Sequence, residues 1–358
     1  MKQSQKDYKR IVVKIGSSLF SSASGEVELA SIGRFCSQIL TLMENGKEVV
    51  VVSSGAIALG MHKLKLKERP QKLSDLAACA SIGQNELMNA YSKSLGDKVI
   101  AAQILLTWED FNDRKRYLNA KNTIEALLKR GNVVPIINEN DSISTEEIRF
   151  GDNDTLSARV ASLLEADILI ILSDVEGLLD KDKKIVRLVT EITPQIKALA
   201  CPTDKKTCVG GMVTKLEAAS IATSSGNYCS ITSGHIKDSI LLVVKDPVSL
   251  GTLFVPKERL TAKLRWIAFG TKSKGRISID EGARQALLNN KSLLTVGVVS
   301  VEGNFERGEI VTITSNNLEI ARGKAGISAK ELSKAKGSRS DKEAIHRDDM
   351  VILSRGEK

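Results

Sequence analysis

The stretch Gly151-Asp152-Asn153-Asp154-Thr155-Leu156, continuing through Val160, Leu163 and Leu164 to Ala166-Asp167-Ile168-Leu169-Ile170-Ile171-Leu172-Ser173-Asp174, reads as a polar turn, a helix and a buried strand ending in two polar residues. Asp154 and Thr155 are good helix starters, because a short side-chain oxygen accepts an unpaired N–H of the first turn. Leu156, Val160, Leu163 and Leu164 recur at helical spacing and predict one apolar face. Ile168–Leu172 is an unbroken β-favouring run, as a strand covered on both faces requires. In such sheets the ligand sits outside the carboxyl ends of the strands. Ser173, Asp174 and the Asp-Asn-Asp turn are therefore expected to share one crevice, with the rest of the chain as its walls.

Moving toward the N-terminus, Ile11-Val12-Val13-Lys14-Ile15-Gly16-Ser17-Ser18 is a strand that turns at a glycine. Lys14 there is either a stem snorkelling from a sheet edge or a cation delivered to the strand's carboxyl end. An amphipathic helix over Glu28–Met43 follows, stopped at Gly46. Glu48–Ser53 is a second buried strand. Its Ser54-Gly55-Ala56 turn either brings backbone N–H groups close to an anion or is a plain tight turn. Leu73–Leu95 reads as a long helix, Val99–Leu106 as a strand and Arg116–Lys129 as a helix. The strand Asn132–Ile137 opens into Asn138-Glu139-Asn140-Asp141, a set of acids and amides suited to an ammonium group or a metal, or to a polar loop with Asx turns.

Toward the C-terminus, Val209-Gly210-Gly211-Met212-Val213-Thr214-Lys215 runs directly into a helix. Two glycines at a helix entrance present N–H groups and the helix dipole to a phosphate, and Lys215 lies one turn in. No GxxxxGK[ST] motif occurs, so this is not a Walker A loop. Asn227–Thr232 is one more strand, and Gly251–Phe254 is expected to close the sheet. Alternating strands and helices predict an α/β fold with a largely parallel sheet. After a charged linker over Lys257–Gly275, short alternating runs separated by glycines predict a small β-barrel, with Glu281–Leu288 as its clear helix. The basic run Lys330–Lys342 is expected to be a solvated loop. Ile345-His346-Arg347-Asp348 is set aside as a protein-kinase loop, for it lacks a downstream Asp-Phe-Gly.

The totals narrow the function. A chain of 358 residues suggests two domains. Aromatics at 4% argue against an aromatic-lined groove for single-stranded nucleic acid. The net charge of +9 is spread over the chain, with residues 272–358 somewhat more basic per residue, mild support for a polyanion surface there. Five cysteines without a CxxC pair fit a reduced chain with buried thiols. No signal peptide or membrane-length apolar span is present, and a cytoplasmic chain is expected.

Only three histidines occur, none at these strand ends, so acyl hydrolysis by a Ser-His-Asp arrangement is disfavoured. Two lysines, glycine turns, carboxylates and amides instead match phosphoryl transfer, in which the protein positions the reactants and neutralises charge. A carboxylate acceptor, with a free pKa of about 4.3, is already ionised at pH 7 and needs no general base.

These segments resemble the amino acid kinase family, in its glutamate 5-kinase branch with a C-terminal PUA module. Asn138-Glu139-Asn140-Asp141 followed by Gly151-Asp152-Asn153-Asp154 is the most specific part, joined by Ser173-Asp174-Val175-Glu176-Gly177-Leu178 and Gly210–Lys215. In the second domain the likeness rests on Ile279-Asp280-Glu281-Gly282-Ala283 and on Ile345–Asp348. The resemblance implies an αβα sandwich over 1–258, a linker over 259–274 and a PUA-like domain over 275–358. It implies transfer from ATP, with Mg²⁺, to the side-chain carboxylate of L-glutamate, the first step of proline synthesis. By the same resemblance Lys14, Lys215 and Asp154 are catalytic, with Asp154 orienting the two lysines. Ser54, Gly55, Ala56, Asp141 and Asn153 bind glutamate. Lys14, Ser173, Asp174, Val209, Gly210, Gly211, Met212, Val213, Thr214 and Lys215 bind ATP, and no dedicated metal ligands are implied. Proline feedback, a homo-tetramer and RNA binding by the PUA-like domain are further implications. The sequence departs from the family pattern in three places: Cys208-Val209 stand in place of Gly-Thr, Leu179 stands in place of a common tyrosine with a shortened loop following, and the stretch Ser338–Glu343 is abbreviated.

Overall fold

A computed structural model describes residues 7–20, 30–143, 153–200, 211–256, 261–269, 271, 273–338 and 343–353. The chain divides into two compact units, Met1–Asp110 with Arg114–Arg259, and Phe111–Asp113 with Leu260–Lys358. None of the described helices is long and apolar enough to cross a membrane.

Up to residue 254 the order is β1 (Arg10–Ile15), α1 (Ala30–Glu44), β2 (Glu48–Ser53), α2 (Ala56–Lys63), α3 (Leu73–Leu95), β3 (Ile100–Leu106), α4 (Trp108–Asn112), α5 (Arg114–Leu128), β4 (Val133–Glu139), α6 (Asn153–Leu164), β5 (Ile168–Ser173), β6 (Leu188–Val189), α7 (Pro194–Ala198), α8 (Met212–Ser224), β7 (Tyr228–Ser233), α9 (Ser239–Lys245) and β8 (Thr252–Phe254). The strands form one sheet in the order β3-β4-β2-β1-β5-β7-β8-β6, parallel except for the β7–β8 pair. Residues 251–254 were expected to close this sheet, but β6 lies beyond them. It is held by two backbone bonds, Leu253 N to the Arg187 carbonyl and Val255 N to the Val189 carbonyl, and is too short to leave a pattern in the sequence.

Strand alternation sorts the apolar runs between two helical layers. Ile11, Val13 and Ile15 of β1, with Val49 and Val51 of β2 and Ile168, Ile170 and Leu172 of β5, pack against Phe35 and Ile39 of α1, Leu87 and Tyr91 of α3, and Ile240 and Val243 of α9. Val12 and Lys14 therefore face the opposite layer, where α6 contacts β1, β2, β4 and β5 as well as α5 and α8. That position changes the reading of α6. One apolar face was expected, yet every residue from Asn153 to Leu164 is buried, because sheet and helices cover all its sides. Its polar members find partners there: Ser157 Oγ donates to the Asp154 carbonyl (2.6 Å), and the Arg159 guanidinium stacks over the Trp108 ring (3.5 Å).

Helices α2 and α3 touch backbone to backbone. A Cβ on Gly60 would fall 1.8 Å from the Cys79 carbonyl oxygen, and one on Gly83 1.8 Å from the Ala56 carbonyl oxygen. No rotamer change relieves a clash with main chain, so Gly83→Ala is expected to cost about 3 kcal/mol or more. The denaturation midpoint measures this, and an unchanged midpoint would mean the helices do not cross so closely. Ala56 opens α2 directly after Ser54-Gly55, so this crossing also sets where that turn stands. Gly55 itself has φ +108°, a region that favours glycine.

The second unit comprises α10 (Ala262–Phe269), β9 (Gly275–Ile279), α11 (Glu281–Leu288), β10 (Leu293–Leu294), β11 (Val298–Gly303), β12 (Ile310–Ser315), β13 (Leu318–Lys324), α12 (Ala329–Ala335), β14 (Glu343–Ile345) and β15 (Met350–Ile352). A five-stranded sheet, β11-β9-β12-β13-β15, is antiparallel except for β9–β12, and the β10–β14 pair shares its apolar core. Helix α10 occupies part of the stretch expected as a charged linker. Ile267 and Ala268 are buried with Ile310 and Val351, an apolar spacing that Lys263 and Arg265 obscure. The basic run from 330, expected as a solvated loop, begins within α12. Ser328 and Glu331 form a capping box there, and Leu332 is fully buried.

Cys36, Cys79 and Cys229 are buried free thiols. Burial pushes the Cys36 thiol up to about 12, so it stays protonated and acts as a small apolar side chain. Cys201 and Cys208 lie outside the described residues.

Candidate active site

Lys14 is the penultimate residue of β1, on the α6 side of the sheet; Lys215 lies one turn into α8, and Asp154 in the first turn of α6. All three meet. Lys14 Nζ is 2.6 Å from Asp154 Oδ1 and Lys215 Nζ is 3.1 Å from Asp154 Oδ2. The Thr214 hydroxyl lies 3.1 Å from the same Oδ2 and 3.0 Å from the Gly211 carbonyl, which also accepts from Lys215 Nζ (3.4 Å). Exposure is 7% for Lys14, 3% for Asp154 and 8% for Lys215, so these charges are largely removed from water. Burial alone would raise the Asp154 carboxyl, but the two ammonium groups outweigh it and hold the group below the usual carboxylate range. Asp154 is thus shared by two ammonium ions at the carboxyl ends of the strands, with the Asp174 carboxylate also within electrostatic reach of Lys215. Two largely buried ammonium groups at that position are suited to an anionic ligand.

Asn153, the first residue of α6, turns to the neighbouring strand ends. Its Nδ2 donates to Ser54 Oγ (2.8 Å), to Asn138 Oδ1 (2.9 Å) and to the Ser53 carbonyl (3.3 Å). Asn153 Oδ1 is buried and has no donor among the described residues. Below this group, Tyr91 of α3 donates to Ser53 Oγ (2.9 Å), and burial keeps its hydroxyl protonated. Asp141 follows β4, and burial pushes its carboxyl up to about 6 against the pull of Arg69. At the end of β5, Ser173 Oγ donates to Asp174 Oδ1 (2.7 Å), which holds Asp174 below the usual range; the charges of Lys215 and His235 add to that effect.

The structure thus joins Lys14, Lys215, Asp154 and Thr214 in one cluster, and Asn153, Ser54 and the Ser53 carbonyl in an adjoining one. Gly55 and Ala56 sit at the entrance of α2. Gly211 caps α8 with φ +66°, ahead of Met212 and Val213. Val209 and Gly210 lie outside the described residues, as do Gly151 and Asp152. Sequence reading passed over Gln84, Tyr91 and the Gly60–Gly83 contact. A signal did exist for Gln84: it falls at helical spacing with the buried Ala80, Leu87 and Tyr91, a polar side chain in an apolar stripe.

The comparisons with known proteins agree with this architecture. The sequence model of the amino acid kinase family matches residues 9–233, and that of the PUA domain residues 275–346. The glutamate 5-kinase of Thermoanaerobacter sp. (strain X514) is 44% identical over 370 aligned positions, covering 98% of this chain and 99% of its own. The glutamate 5-kinase of Moorella thermoacetica is 42% identical over 366, covering 96% of each chain. Among solved structures, a carbamate kinase of Giardia superposes with a TM-score of 0.51 at 18% identity, covering 70% of this chain and 100% of its own, a likeness of fold.

Proposed function

The chain belongs to the amino acid kinase family, and from that premise we propose that it transfers the γ-phosphoryl group of ATP to the side-chain carboxylate of L-glutamate, giving L-glutamyl 5-phosphate for proline synthesis. The observation that carries the reading is Asp154 bridging the ammonium groups of Lys14 and Lys215 at the strand ends. A glutamate carboxylate oxygen attacks the γ-phosphorus. The bond from that phosphorus to the bridging oxygen breaks, and its electron pair leaves with ADP. No proton has to be removed, because the acceptor is ionised at neutral pH. Lys14 and Lys215 neutralise the charge spread over the moving phosphoryl group, and Asp154 keeps both at fixed positions. Ser173, Asp174 and the entrance of α8 hold the nucleotide. Ser54, Asn153 and Asp141 hold the amino acid.

Mg²⁺ belongs to the same proposal. Among the described residues no group of three or more His, Cys, Asp or Glu side chains is placed to hold a metal ion. Mg²⁺ usually keeps several waters and is carried on substrate phosphates with few protein ligands. Bound there, it would neutralise triphosphate charge. Proline feedback and homo-oligomeric assembly complete the reading.

The direct test is ADP release with glutamate, N-acetylglutamate and aspartate as separate acceptors. Glutamate-dependent release is expected, and activity confined to aspartate would overturn the proposal. Run across pH, the same assay reads Asp141. Its carboxyl must be ionised to accept the substrate ammonium, and its ordinary value of about 3.9 is raised to about 6 by burial. The KM for glutamate should stay flat above pH 7 and climb roughly tenfold per unit below pH 6, while the glutamate side chain remains mostly ionised. A flat KM from pH 5 to 8 would remove Asp141 from the ammonium subsite.

A further inference from the structure

Four amides run in a line through the first unit. Asn153 Nδ2 donates to Asn138 Oδ1 (2.9 Å), Asn138 Nδ2 to Gln84 Oε1 (2.9 Å), and Gln84 Nε2 to Gln103 Oε1 (3.0 Å). An amide is nearly symmetric in shape, so its polarity is decided by neighbours that cannot turn over. Two such neighbours are backbone groups. Glu139 N–H donates to Asn138 Oδ1 (2.9 Å), and the Ser53 carbonyl can only accept, here from Asn153 Nδ2 (3.3 Å). Asn138 consequently offers oxygen to Asn153 and hydrogen to Gln84. Asn153 spends its hydrogens on protein acceptors and is left with a buried carbonyl oxygen that has no donor among the described residues.

Asn138 and Asn153 are buried, so each hydrogen of the Asn138 amide needs a protein acceptor. Gln84 supplies one from α3, the helix that also sends Tyr91 to Ser53. We infer that Gln84 is a positioning residue for the acceptor amino acid: by accepting from Asn138 Nδ2 it holds the Asn138 amide in place, and through Asn138 Oδ1 the Asn153 amide at the glutamate site. Without that acceptor a hydrogen of the buried Asn138 amide is left unpaired, while the Glu139 N–H and the Ser53 carbonyl still hold both amides in their polarity, so Asn138 must shift to pair it and draws Asn153 with it. The inference rests on the function proposed above and deepens it.

Steady-state kinetics of the full chain with glutamate and ATP varied in turn, alongside thermal melts, test it. Gln84→Met should raise the KM for glutamate about tenfold, the value of one net hydrogen bond, with kcat and the KM for ATP within about threefold of the parent. Gln84→Glu retains an acceptor and should recover the KM to within about threefold. Gln84→Lys carries only donors and should be at least as impaired as the methionine variant. If the methionine variant fails to fold, the lysine and glutamate variants still decide, with a KM ratio of about ten or more expected between them. Equal glutamate KM for the parent and Gln84→Met, or for Gln84→Lys and Gln84→Glu, overturns the inference. A parallel rise in the KM for ATP would show a general structural role and overturn it too. Absence of glutamate-dependent turnover in the parent would defeat the proposed function itself, and that result is read before any variant is made.

Discussion

Asp154→Asn is expected to lower kcat by about 10²-fold to 10³-fold, the range seen when a preorganised charge-stabilising group is lost. Asparagine keeps the volume of the side chain but removes the charge that bridges two buried ammonium groups. Its amide can offer an oxygen to one lysine, but must then turn hydrogens toward the other. The lysines would separate or shift toward solvent, and the phosphoryl group would lose the fixed pair of cations that the proposed reaction needs. Stability should fall as well, by about 3–5 kcal/mol, because breaking a buried ion pair leaves charge uncompensated. A triphosphate would restore part of that loss, so ATP should raise the melting temperature of the variant more than that of the parent. A kcat within tenfold of the parent would place the chemistry elsewhere.

Lys215→Ala is the second large effect, with kcat expected to fall by about two powers of ten or more and the KM for glutamate to change little. Here Asp154 keeps Lys14 as its partner, so the fold should tolerate the change better than Asp154→Asn. What disappears is one cation at the moving phosphoryl group, an interaction stronger in the transition state than with bound substrate. Near-normal turnover would refute the role. The double variant should be far from additive, since both residues act through one shared cluster.

Strands β1, β2, β4 and β5 were legible because each is a short apolar run covered on both faces, and such runs survive in a sequence whatever their neighbours. The same double burial hid which helix each side chain meets. Val13 and Lys14 are adjacent in the chain, yet Val13 packs with α1 and α3 whereas Lys14 reaches Asp154 on α6. Helix α6 misled in a related way. Its leucines and valine do recur at helical spacing, but Ser157, Arg159 and Ser162 are buried too, because α8 closes the side that a lone amphipathic helix would leave to water. Helix α10 escaped notice for the opposite reason, since Lys263 and Arg265 interrupt its apolar positions.

The sequence by itself determined the alternating α/β order, the separate β-rich unit after it, the family, and the residue types at the strand ends: lysines, small turns, carboxylates and amides. Those are local properties, carried by runs of a few residues. Only the tertiary structure decided that Lys14 and Lys215, far apart in the chain, share the two oxygens of Asp154, and that Gln84 stands behind Asn138. It alone decided that Gly60 and Gly83 let α2 and α3 meet at the main chain. Each of these depends on distances between segments, which are set by how the layers pack and leave no periodicity for a sequence to display.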